Sequence, residues 1–170
     1  MFIKELPNYV VAHSVGVAKF MAEWASLHPK EGLMSDEMYI LGLLHDIGKI
    51  YPANFDMNTG KEKANVNGNI YKGHAHKGGS LLSDLGFHFA KEVEHHGDSD
   101  SYFFSVKLLL LNLADLSVNG EGNIISIKER IDDVGVRYGL DSEEYRHCIN
   151  VVGRLEGLGW IDKDWNIIWN

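Results

Sequence analysis

Residues 42–52 read "GLLHDIGKIYP". The stretch opens as an apolar helix and then sets an imidazole and a carboxylate side by side, His45 and Asp46, with Gly48 and Lys49 close behind. His45 follows Leu41 by four residues, so it shares the apolar face, and Asp46 lies about 100° further round the same helix end. An unpaired carboxylate in an apolar interior costs several kcal/mol. A helix that turns polar on its inward side therefore needs partners for those groups, and the rest of the chain has to supply them. The His-Asp pair alone is a weak signal, because two such common residues meet often by chance.

Outward from this stretch the same feature recurs. Upstream, residues 8–28 carry the apolar stripe Val10, Val17, Phe20, Met21 and Trp24, and His13 sits on it. The helix of the opening stretch starts at Ser35 or Asp36 as cap and runs to about Ile47, with Gly48 as its stop. A third helix begins near His74 and ends at Gly86. Stepping back along it from Leu85 through Leu82 or Leu81 and Gly78 arrives at His74, not His76. A short fourth runs from Phe87 to His96. Its inner face passes through Phe89 and Val93 to His96, while His95 is rotated away and reaches inward only by turning at a fraying end. A fifth, Tyr102 to Val118, is apolar nearly all round and sets Asp115 among leucines. Residues 125–138 and 141–158 give two more helices, the last capped by Asp141.

The fold expected is all-α. Residues 50–73 form a long Asn-, Gly- and Lys-rich connection, in which "IYPANFD" and "GNIYKG" could pair as a small hairpin; a loop of that length is usually functional or mobile. The tail "GWIDKDWNIIWN" reads as a short β-hairpin around an Asp-Lys-Asp turn, or as an aromatic flap over the helices. No repeat or linker divides the chain, so residues 1–170 are expected to form a single domain.

Composition narrows the partners. The 170 residues carry a formal net charge of −8, the wrong sign for a nucleic-acid duplex or an anionic membrane. A small anionic substrate stays compatible if a metal ion reverses the local field. The single cysteine, Cys148, excludes an intrachain disulfide framework and suits a reducing cytoplasm. "MFIKELPNY" lacks the apolar core of a signal peptide, and "VKLLLLNLADLSV" is too short to span a bilayer.

Each inward polar residue has a plain alternative. A lone histidine such as His13 on an apolar face is usually a core residue with a satisfied hydrogen bond, and Asp115 could pair with a lysine. Taken together, five helices each present an imidazole or a carboxylate inward. Neutral imidazoles and carboxylates are metal ligands, and bound cations remove the cost of burying them.

The ordered set His13, His45-Asp46, His74, His96, Asp115 resembles the HD-domain metal-dependent phosphohydrolase superfamily. "AHSVGVAKFMAEWA" is similar to that family's first helix, "LLHDIGK" to its signature, "GHAHKGGSLL" to the segment giving its third histidine, "VEHHG" to the fourth, and "LLNLADLS" to its last helix. The likeness covers about residues 8–120 and leaves 121–170, the C-terminal helices and aromatic tail, unmatched.

The resemblance implies a helical bundle with metals between its helices. His13, His45, Asp46 and Asp115 would be the minimal set for one ion, and His74 and His96, with His95 as the alternative to His96, would add a second. Asp46 would bridge the two ions. A water between two cations loses its proton readily and becomes a hydroxide nucleophile, and attack at phosphorus then hydrolyses a small phosphate ester or anhydride, a nucleotide or its like. Lys49, one turn beyond Asp46, could hold a substrate phosphate or the leaving oxygen, or simply be a solvated lysine at a helix end. Nitrogen and oxygen ligands suit manganese, iron, cobalt, nickel or zinc better than magnesium. The alternatives are a mononuclear 5′-nucleotidase-like enzyme, a non-catalytic metal- or nucleotide-binding signalling module, and a structural helical protein with a single stabilising metal.

Overall fold

The computed structural model describes residues 6–51, 73–98 and 103–169. Among them the chain forms seven α-helices: α1 (Asn8–Leu27), α2 (Ser35–Leu44), α3 (His74–Asp84), α4 (Ala90–His95), α5 (Val106–Ser117), α6 (Ile127–Tyr138) and α7 (Glu143–Gly157). The expected hairpin within residues 50–73 lies outside the described residues, except at its two ends.

The helix α1 buries Val10, His13, Val17, Phe20, Met21 and Trp24 at the spacing the stripe requires. It ends where His28 meets Pro29, whose ring pushes the preceding residue out of the helical region; His28 stacks on Trp24 with ring centroids 3.9 Å apart. The helices α1 and α2 pack backbone to backbone, since a Cβ on Gly42 would fall 2.7 Å from Ala18 Cα. The helix α5 is central. Leu108 to Ala114 are all buried, and it touches α1, α2, α4, α6 and α7. Ser105 starts it by accepting the Leu108 N–H at 3.0 Å.

Two local readings are corrected. The last helix is capped by Ser142, which accepts from Tyr145 N at 3.1 Å, and not by Asp141. The α-helical part of the opening stretch stops at Leu44, three residues short of expectation. Asp46 then adopts φ −95°, ψ 10°, between helix and strand, and Ile47–Ile50 continue as a 3₁₀ turn. Gly48 lies inside that turn, and its missing Cβ serves a close approach: one placed there would meet the His74 carbonyl and stand 2.7 Å from Gly78 N.

The C-terminal β-hairpin does not form. The tail makes one antiparallel bridge, Ile161 to Ile167. The Asp162 carboxylate accepts the backbone N–H of Asp164 at 2.8 Å and of Asn166 at 2.9 Å, and Trp165 takes φ 65°. Backbone bonds from Asp162 N to Asn166 O and from Ile168 N to Trp160 O, both 2.9 Å, flank that bridge, and no second ladder pair follows among the described residues. Trp160 packs on Trp24 (4.4 Å) and Trp169 on Phe20 (5.2 Å), so the tail is an aromatic cover on the core. The loop after α5 uses the same device. Asn119 Oδ1 accepts from Glu121 N and Asn123 N, both at 3.0 Å, beside a lone bridge from Val118 to Ile124. That loop presses on α1, where Gly16 meets Gly122 with no room for a Cβ.

Candidate metal centre

Five segments bring their inward polar groups to one place: α1 supplies His13, the end of α2 supplies His45 and Asp46, α3 supplies His74, the end of α4 supplies His96, and α5 supplies Asp115. Ring centroids of His13 and His45, and of His45 and His96, are 5.3 Å apart, and those of His74 and His96 5.2 Å. The tight packing of Gly48 on α3 sets His74 against Asp46, and Gly79, against Glu94 and Ala90 of α4, sets α3 close to the helix bearing His96. These contacts give the small pair Gly78-Gly79 its physical reason.

Backbone carbonyls fix three of the imidazoles. His13 Nδ1 donates to Asn119 O at 3.1 Å, His45 Nδ1 to Gly42 O at 2.7 Å and His96 Nδ1 to Val93 O at 2.7 Å. A carbonyl only accepts, so each neutral ring carries its proton on Nδ1 and keeps a lone pair on Nε2. This is how proteins orient histidines for metals.

The carboxylates lie against those lone pairs. Asp115 Oδ1 is 2.9 Å from His13 Nε2. Asp46 Oδ1 is 3.0 Å from His74 Nε2 and 3.9 Å from His96 Nε2, while its Oδ2 is 3.6 Å from His45 Nε2 and 2.5 Å from Lys49 Nζ. His74 Nε2 and His96 Nε2 are 3.3 Å apart.

The residues fit a metal on two counts. His45 Nε2 is buried with no hydrogen-bond partner, a costly state that a cation relieves. Where a lone pair faces a carboxylate oxygen, as at His13 and Asp115, only a cation between them, a proton or a metal, makes the contact attractive. His13, His45 and Asp115 each place one ligand atom within 4.8 Å of the others, and so do His45, Asp46 and His96.

The electrostatics favour the same state. Burial pushes His45 below its ordinary value, and burial with the nearby His74 and His45 rings pushes His96 down to about 3; both are neutral at pH 7 and ready to ligate. Burial alone would raise the Asp46 carboxyl, but the Lys49 ammonium and the His45 and His74 rings outweigh it and hold Asp46 well below the carboxylate range. The same contest at Asp115 is decided by the His13 hydrogen bond and the Arg130 charge.

His95 is not among these groups. It stands 3.6 Å from Asp98 and its ring lies 5.2 Å from Phe103, beside a small cleft with His147 and Arg154. His76 pairs with Glu94 at 2.6 Å, and exposed His88 with Glu37 at 2.6 Å. Arg130, which is not among the residues expected at the site, is directed to Asp115 at 3.5 Å. Its signal was its place on the stripe Ile127, Ile131, Val134, all buried.

No curated protein and no solved structure matches the chain. A family model does, the HD domain, over residues 10–131. That span contains every group of the cluster, from His13 to Asp115, and takes in seven-tenths of the chain: it is a member of the HD-domain family.

Proposed function

We propose that the protein is a metal-dependent phosphohydrolase acting on a small phosphorylated molecule, a nucleotide or its like, with two divalent ions. The observation that carries this reading is the orphaned, buried Nε2 of His45 between two carboxylates. His13 and Asp115, with His45, would hold one ion. Asp46, His74 and His96 would hold the other. The oxygens of Asp46 face different partners, Oδ1 toward His74 and Oδ2 toward His45 and Lys49, as a bridging ligand requires. Nitrogen and oxygen donors suit manganese, iron, cobalt, nickel or zinc. The ions, when bound, supply the acidity that makes water a nucleophile and the charge that holds a phosphoryl oxygen.

The chain's own part is binding and positioning. Lys49 has no lone pair to give a metal. With Asp46 engaged by a cation, its ammonium can turn to a phosphate oxygen and stabilise charge developing there.

A mononuclear, 5′-nucleotidase-like enzyme is the second reading. It is favoured by one fact: both ligand groups draw on the same His45, and one Nε2 serves one ion. Titration of manganese, iron, cobalt, nickel and zinc in turn into metal-free protein, followed by elemental analysis and by phosphate release from a nucleotide panel, separates the readings. Two ions per chain and metal-dependent release are expected. A single ion at every concentration puts the mononuclear reading ahead, and no release with any of the five metals removes the hydrolase reading.

A further inference from the structure

Arg130 leaves α6 from its inward face, flanked by the buried Ile127, Ile131 and Val134. Its side chain is 20% exposed. The guanidinium stands 3.5 Å from Asp115 Oδ1 and 4.0 Å from Asp133 Oδ2. Both carboxylates have closer partners, His13 at 2.9 Å for Asp115 and Arg137 at 2.6 Å for Asp133. A charge-assisted hydrogen bond is about 2.7–2.9 Å long, so Arg130 is held near two anions and tightly bound to neither. Its planar fork of donors matches the oxygens of a phosphate.

Lys49 holds the other end. The two ligand groups share His45 and finish in different carboxylates, Asp46 beside Lys49 and Asp115 beside Arg130. The side-chain cations therefore flank the cluster from its two ends. Their charges cancel those of the two carboxylates, so bound divalent ions leave a positive excess that suits an anion with several charges.

We propose that Arg130 binds a second phosphoryl group, and that the substrate is a phosphoanhydride with negative charge on both sides of the bond that breaks. This deepens the hydrolase reading and rests on it. In the reaction, water adds its oxygen to one phosphorus, the bridging P–O bond breaks, its electron pair stays on the departing phosphate, and the water proton passes to solvent or to that phosphate. Arg130 grips one phosphate and Lys49 the other.

The test uses two probes that are not hydrolysed, inorganic phosphate and methylenediphosphonate, titrated calorimetrically into manganese-loaded protein with metal content measured before and after. The unmodified protein is expected to bind the diphosphonate more tightly. Arg130→Ala is expected to weaken the diphosphonate tenfold or more and phosphate less than about twofold, with metal content unchanged. Arg130→Lys, which keeps the charge and loses the fork, should fall between, and it stands in where the alanine variant does not fold. An equal loss for both probes, no loss for the diphosphonate, or loss of metal from Arg130→Ala overturns the proposal, the last because Arg130 would then only hold Asp115 in place. Neither probe turns over, so a protein that hydrolyses nothing still gives an answer here, and that failure counts against the hydrolase reading alone.

Discussion

Asp46 is almost fully buried, and the polar side chains set against it among the described residues are Lys49, His45, His74 and His96. Asp46→Ala removes the carboxylate that faces both His74 and Lys49 and that, among the described residues, lies between the two halves of the cluster. It is expected to abolish hydrolysis and lower bound metal, read by phosphate release and elemental analysis; a variant that keeps both shows that Asp46 bridges nothing. Lys49→Ala is expected to behave otherwise. Metal stays bound, and hydrolysis falls by about 10²–10³-fold, the usual effect of removing one donor from a developing oxyanion. Unchanged kinetics would make Lys49 a bystander at the end of a turn. The faces of His13, His45 and His74 were legible from helical period, because each shares a stripe with buried apolar residues, and Asp115 was legible as a carboxylate on a helix apolar nearly all round. The choice between His95 and His96 turns on one residue of rotation at a helix end, where fraying leaves sequence pattern with little to say. Arg130 went unassigned because an arginine on a helix is usually solvated, although its position falls on the buried stripe Ile127, Ile131, Val134.

Among elements, the 3₁₀ turn and α3 approach each other too closely for a side chain between them. Gly48→Ala forces a methyl into the His74 carbonyl and Gly78 N. It is expected to cost about 1–3 kcal/mol or more and to weaken metal binding, since Asp46 and His74 lie on either side of the contact. Gly97, with nothing within 4 Å of a built Cβ, is the control, and Gly97→Ala should leave the urea midpoint and metal affinity unchanged. The helix α7 offers a test by pH. Burial pushes the Cys148 thiol from 9.0 up to about 11. Between those values the unfolded chain gives up a proton that the folded chain keeps, so stability present below about pH 9 is lost as pH rises toward 11. Cys148→Ala is expected to show a shallower decline over that window in chemical denaturation. Helices were legible because burial imposes their 3.6-residue period; their ends were less so. Ser142 caps where Asp141 was expected, and Ser35 and Asp36 make no side-chain cap bond. The tail alternates like a strand, yet the Asp162 carboxylate takes the N–H groups of Asp164 and Asn166 into a turn, a competition that alternation does not reveal.

At the scale of the whole molecule, a metal that binds only the folded cluster stabilises together the helices that build it. At a hundred times its dissociation constant it adds about 2.7 kcal/mol, which for a chain of this size raises the melting temperature by about 5–10 °C. Scanning calorimetry with manganese and then with excess chelator should show that difference, and an unmoved transition would mean that no ion is held in the native cluster. One contact carries a further consequence. His13 and Asp115 meet across 102 residues of chain. During synthesis at about 5–20 residues per second, the amino-terminal histidine leaves the ribosome about 5–20 s before its carboxylate. A chain made only as far as α4 can offer an ion no more than a fragment of its cradle, so loading is deferred until Asp115 has followed.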